Sequence, residues 1–201
     1  LLNGLSPIVS LADSAITAAA AGHPSLPNIL ATLARRIEGL EGFTRGYRDL
    51  ARLPAPVRAP VSLAELGDDL ARLFAARFGP GVTLTCAIPD AAMADVDRDQ
   101  LTQAVWALLQ NGAEAAGDHG SVTLSITSAP KALTILVGDS GPGVTPDART
   151  RIFRPFHSSK PTGSGIGLTL ARRIARAHGG DVKLDNDRTT QFRLTALSRS
   201  D

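Results

Sequence analysis

Three prolines within the seven residues P-A-P-V-R-A-P, Pro54, Pro56 and Pro60, divide the chain into two parts that no continuous helix can join. Each removes a backbone donor and fixes φ at about −65°, so a helix arriving from upstream ends there and extended backbone follows. Upstream, Leu1, Leu5, Ile8, Ala12, Ala15 and Ala19 recur at alternating steps of four and three, the spacing of a helical seam, with Pro7 as a bend. Gly22, His23 and Pro24 interrupt this pattern. Leu26, Leu30, Leu33, Ile37, Leu40, Thr44, Tyr47 and Ala51 then resume it as far as about Leu53. Two helices joined by so short a turn lie antiparallel. Their narrow apolar stripes enclose no core alone, so the hairpin needs a packing partner. That partner is either a second copy, giving a dimeric four-helix bundle, or the downstream part of the same chain. The expected organisation is a helical hairpin over 1–55, a linker over 56–61 and a second domain over 62–201.

Beyond the prolines, helix and strand patterns alternate. Ser62 and Glu65 form a capping box for a helix to about Phe78, closed by Gly79, Pro80 and Gly81. Asp97 and Gln100 start another, whose apolar face of Leu101, Val105, Leu108 and Leu109 runs toward Ala116. Strands are expected over about 82–88, 93–96, 122–127, 133–137, 182–184 and 191–196, with a helix from about Ile166 to His178 that Gly179 and Gly180 close. The predicted fold class is α+β, a helical hairpin followed by an α/β sandwich. Hydrophobic residues at 43% and charged residues at 20% suffice for a packed core and argue against a largely disordered chain. A formal net charge of +2 gives no reason to expect nucleic acid as a partner. The single cysteine, Cys86, excludes an intramolecular disulfide and fits a cytoplasmic location. No apolar run approaches the roughly 18 residues of a membrane span, so no membrane contact is expected within this chain.

Four short signals follow one another in the second part. Asn111, in Q-A-V-W-A-L-L-Q-N-G-A-E-A, offers a neutral amide oxygen to a magnesium ion, and is otherwise a surface residue or a helix end before Gly112. The turn D-S-G-P-G, Asp139 to Gly143, places a carboxylate that can accept from an exocyclic amine such as that of adenine beside Gly141 and Gly143, which let backbone approach a flat ring. Taken alone it is an ordinary turn. F-R-P-F-H-S-S-K, Phe153 to Lys160, sits in a long loop and suits a lid over a charged ligand, with Lys160 available to a phosphate. G-S-G-I-G-L, Gly163 to Leu168, directly precedes a helix, where free backbone N–H groups make an anion site. Its G-x-G-x-G spacing matches neither a P-loop nor a dinucleotide-binding turn.

In this order, the four signals resemble the N, G1, F and G2 boxes of the ATP-binding domain of sensor histidine kinases, within the Bergerat-fold ATPases. The resemblance covers about Ser62 to the end. It implies a Bergerat-type sandwich that binds ATP with Mg2+ under a lid over about 145–162. In that reading Asn111 lies toward the metal and Asp139 toward adenine. Lys160 and Gly163, Ser164, Gly165, Gly167 and Leu168 are near the phosphates, and Asn111 and Lys160 serve catalysis. One position departs from the family: Ala107 stands where another asparagine is usual. In hydrolysing relatives that position is a glutamate that activates water, and alanine can accept no proton, which argues against a dedicated ATPase.

The first helix is also similar to a family segment. In nitrogen-regulation-type sensor kinases the motif H-E-x-x-N-x-L-x-P-I occurs, and L-L-N-G-L-S-P-I, Leu1 to Ile8, matches its last eight positions. The phosphoaccepting histidine is then expected just before Leu1, outside this chain, which would leave it unable to autophosphorylate. Asn3 matches the position associated with dephosphorylating the partner. The resemblance implies a homodimer, relay of phosphate to a response-regulator receiver domain, and a parent protein that can be membrane-attached. Among the histidines, His23 reads as a turn, His119 as a loop, His157 as lid packing and His178 as a helix-end cap. Two further readings stand beside the kinase: a dimeric nucleotide-sensing scaffold without phosphotransfer, and a serine-directed switch kinase, which the hairpin disfavours.

Overall fold

A computed structural model describes residues 2–158, 165–186 and 190–198, the side chains of residues 2–5, 42, 43, 45–47, 49–51 and 186 lying outside that description. Helices α1 (Leu2–Ala20) and α2 (Leu26–Ala51) form the expected antiparallel hairpin, with Pro7 inside α1. Gly22 takes a positive φ of 61° at the reversal, and Ser25 N donates to His23 Nδ1, so His23 is a turn residue. Ala15 and Ala18 are buried, but Val9 and Ile16 on α1 and Leu30 and Ile37 on α2 are exposed. Each exposed pair is two helical turns apart, so each helix keeps an uncovered apolar stripe.

The remainder comprises β1 (Ala59–Ser62), α3 (Leu63–Phe78), β2 (Thr83–Ala87), β3 (Met93–Val96), α4 (Arg98–Ala116), β4 (Ser121–Ala129), β5 (Ala132–Asp139), α5 (Pro146–Arg149), α6 (Gly167–Ala177), β6 (Asp181–Asn186) and β7 (Gln191–Ala196). Both predicted caps form: Glu65 N donates to Ser62 Oγ and Gln100 N to Asp97 Oδ1. Residues 59–61, expected in the linker, instead enter β1, which pairs antiparallel with β3. Pro60 is tolerated because a two-stranded ribbon consists only of edges.

The main sheet has the order β2-β4-β5-β7-β6, with β2 parallel to β4 and all other neighbours antiparallel. Alternation sorts its two faces. Val122, Leu124 and Ile126 on β4 and Leu133, Ile135 and Val137 on β5 are buried under α3, α4 and α6, while Ser121, Thr123 and Thr127 look outward. The core is the space between helices and sheet.

His178 is the C-cap of α6, as expected, and its side chain is fully buried. Its Nδ1 donates to Ile174 O at 2.9 Å and its Nε2 accepts from Asp97 N at 3.1 Å, so it ties the end of α6 to the start of α4. His178→Ala leaves the Asp97 N–H without its partner and a void beside it. The expected loss of stability is about 2–4 kcal/mol, measurable by urea unfolding.

Candidate functional site

Helix α4 is sorted by its own periodicity. Leu101, Ala104, Val105, Leu108, Leu109, Gly112 and Ala113 face the core, which turns the adjacent stripe of Ala107, Gln110, Asn111 and Glu114 to one side. All four residues of that stripe line a cavity of about 500 Å³, a size suited to a small-molecule ligand. Gly143 and Val144 close it after β5, Gly165, Gly167 and Leu168 at the start of α6, and Thr190 and Phe192 beside β7. The structure thus brings Asn111, Gly143, Gly165, Gly167 and Leu168 together from three separate sequence signals. The side chain of Asn3 and all of Lys160, Gly163 and Ser164 lie outside the described residues.

Asp139 and Gly141 stand behind the cavity wall rather than among its lining residues. Asp139 is the last residue of the buried face of β5, following Leu133, Ile135 and Val137 at steps of two, and is only 8% exposed. It packs beside α4, where a Cβ on Gly112 would lie 3.4 Å from Asp139 Cβ, an ordinary contact. Gly112 is not a helix end, because α4 continues to Ala116. Asp139 Oδ1 accepts from Gly141 N at 2.9 Å. A Cβ on Gly141 would stand 2.7 Å from both that oxygen and Ala115 O, so only glycine fits the close approach of the turn to α4. Asp139 N donates to Thr190 O, which links the carboxylate's strand to a cavity-lining residue.

At the other end, Gly165 has φ of 65° and accepts at its carbonyl from Phe156 N, joining the loop before α6 to the phenylalanine-rich segment. Phe153 is anchored: its ring meets Phe192 edge-on at 6.2 Å, its carbonyl accepts from Thr169 Oγ1, and Arg172 lies over its face. Asp181, bonded to Arg172, has its carboxyl held well below the usual range, at about 2, chiefly by that guanidinium. His157 and Ser158 reach the cavity. Among the described lining residues Glu38 and Glu114 are acidic, His157 is the one ionisable base, and none is lysine or arginine. The amide groups at the start of α6 supply the positive pole.

Sequence reasoning missed Thr190, Gln110, Glu38 and Gly39 as lining residues. Thr190 is 3% exposed, a buried hydroxyl just before a strand, and the T-T-Q that contains it is a usable signal. Glu38 and Gly39 carry none, because α2 reaches this site through the packing of the hairpin against α6. No group of three or more His, Cys, Asp or Glu side chains that could hold a metal exists among the described residues. The side-chain oxygens on the cavity-lining α4 stripe are those of Gln110, Asn111 and Glu114.

The family model of histidine kinase-, DNA gyrase B-, and HSP90-like ATPases matches residues 96–199, from the end of β3 through β7. The sensory histidine kinase/phosphatase NtrB of Rhizobium leguminosarum bv. phaseoli is 32% identical, over 72% of this chain and 42% of its own. The C4-dicarboxylate transport sensor protein DctB of Rhizobium meliloti is 29% identical, over 77% of this chain and 26% of its own. The chain thus spans about a quarter to two fifths of the length of these relatives. Full-length ShkA, solved in complex with AMPPNP, superposes with a TM-score of 0.70 at 25% identity, over 88% of this chain and 40% of that one. With a cavity built, apart from Glu38 and Gly39, from the stretch that the family model covers, this chain belongs to the histidine kinase-, DNA gyrase B-, and HSP90-like ATPases.

Proposed function

We propose that this chain is the kinase core of a two-component sensor, which presents the γ-phosphoryl group of ATP to a histidine on a helical bundle for relay to a response-regulator receiver domain. The observation that carries this reading is the position of α2: Glu38 and Gly39 line the same cavity as Asn111 and the α6 loop. A free-standing ATPase has no use for a helical hairpin at its phosphate end, whereas a kinase must bring ATP and acceptor helix together. The uncovered stripes of Val9 and Ile16, and of Leu30 and Ile37, support closure of the hairpin on a second copy into a four-helix bundle.

Within this reading Asp139 selects adenine, Gly165 and Gly167 let backbone N–H groups reach phosphate oxygens, and Asn111 holds the metal, with Lys160 added from beyond the described residues. Magnesium, when bound, supplies charge neutralisation between phosphates. The chain's own contribution is positioning and exclusion of water. Ala107 lines the cavity where hydrolysing relatives would place a base, so water has no group there to activate it. The boundaries of hairpin, linker and ATP-binding domain follow the prolines, with the linker shortened by β1. Asn3, at the start of α1, is the candidate for the phosphatase step.

The same Ala107 favours one second reading, a dimeric scaffold that senses nucleotide without transferring phosphate. Incubating the parent protein that carries this segment with γ-labelled ATP decides between them. Acid-labile, base-stable phosphate on a histidine, chased onto a receiver domain, is the expected result. Tight ATP binding without protein label would establish the scaffold.

A further inference from the structure

The cavity explains what touches a ligand but not what fixes the start of the segment that leads to His157 and Ser158. That segment begins at Phe153, and α6 grips it twice. Thr169 Oγ1 donates to the Phe153 carbonyl at 3.2 Å, and the guanidinium carbon of Arg172 lies 4.7 Å from the centre of the Phe153 ring. The guanidinium is itself immobilised. Its Nε and Nη2 donate to Asp181 Oδ1 and Oδ2 at 2.7 and 3.0 Å, the fork-to-fork geometry that fixes a plane as well as a charge. Val182 N and Arg176 Nε donate to the same carboxylate, which holds it in place at the first residue of β6.

The ion pair is only partly buried, its side chains being 30% and 24% exposed, so its contribution to stability is modest. Its geometric consequence is larger. A guanidinium with a fixed plane offers its face to an aromatic ring, and the ring it meets is the one that stands edge-on to Phe192, a wall of the cavity. Asp181, Arg172, Phe153 and Phe192 thus form a continuous chain of contacts from the outer strand β6 to the ligand cavity.

We propose that Arg172, locked by Asp181, is a positioning residue for nucleotide binding: it holds Phe153 so that the Phe192 wall and the fixed end of the lid are in place before ATP arrives. This rests on the cavity being the ATP site. Because burial is modest and the carboxyl is held near the bottom of its range, the lock stays ionised at and well below neutral pH.

The test compares the unaltered chain with Arg172→Met, which keeps an apolar stem but no plane or charge, and Arg172→Lys, which keeps the charge alone. ATP affinity is read by calorimetry, and amide exchange is read over 150–158. Arg172→Met is expected to weaken ATP about tenfold and to speed exchange at 153–156, with the thermal midpoint little changed. Arg172→Lys is expected to recover only part of the affinity, roughly threefold weaker than the unaltered chain, because an ammonium has no face to stack. Unaltered affinity and exchange in Arg172→Met would overturn the inference. If that variant does not fold, unaltered affinity and exchange in Arg172→Lys would do so instead. Failure of the unaltered chain to bind ATP overturns the nucleotide reading itself, and is thereby distinguished from failure of the lock.

Discussion

If Asp139 selects adenine, as proposed, Asp139→Asn is expected to weaken adenine nucleotide binding by at least about thirtyfold and to leave the fold standing. A hydrogen bond to a charged group contributes about 1.5–3 kcal/mol, which spans roughly one to two decades of affinity. The carboxylate sits at the high end of that range because it is only 8% exposed. Asparagine matches its shape and can still accept from Gly141 N, so the turn has no reason to rearrange. What it loses is charge and its second acceptor. In the proposed reading, which needs adenine to reach past the lining residues to Asp139, the amide NH2 that replaces that acceptor would meet the exocyclic amine donor to donor. Titration with ADP measures the effect, and thermal unfolding confirms that the fold persists. Unchanged ADP affinity in a folded variant would show that the base is held elsewhere.

How legible each part is in the sequence depends on how local its signal is. The caps at Ser62 and Asp97, the apolar face of α4 and the alternation of β4 and β5 are each written within a few residues, and each forms where expected. Asn111 reaches the cavity because helical periodicity places it beside the buried stripe rather than on it. Ala107, a position without a proton acceptor, lines the cavity as its place one turn before Asn111 requires. Strand β1 escapes a sequence reading because its pairing lies with β3, more than thirty residues away, and its prolines read as a linker. The single turn of α5 escapes it because four residues carry no period. Glu38 and Gly39 are beyond reach for a stronger reason: their place depends on how a whole hairpin rests on α6. Gly112 is an intermediate case. A glycine late in a helix resembles a terminus in one dimension, and only the continuation of α4 to Ala116 shows that it is not one.

Gly165→Ala is expected to weaken ATP binding about tenfold or more while adenosine affinity changes little. Two separate penalties meet at this residue. Its φ of 65° costs an L-residue roughly 1–2 kcal/mol, and an added Cβ would stand 2.6 Å from His157 N and 2.7 Å from the Phe156 carbonyl carbon. Those are backbone atoms, which cannot step aside as the end of a flexible side chain can. The Gly165 carbonyl also accepts from Phe156 N, so relief of the clash moves the α6 loop and the lid segment apart together. Because both elements lie at the phosphate end in the proposed reading, the loss should scale with phosphates, ATP suffering more than adenosine. Gly39→Ala is the matched control. It lines the same cavity from α2, yet a Cβ there would meet nothing within 4 Å. Removing a helical glycine should stabilise the chain by up to about 1 kcal/mol and keep ATP affinity within about twofold. Calorimetry with ATP and adenosine on both variants separates a cradle from a mere lining. Equal losses for the two ligands in Gly165→Ala would mean that the loop shapes the whole cavity rather than its phosphate end.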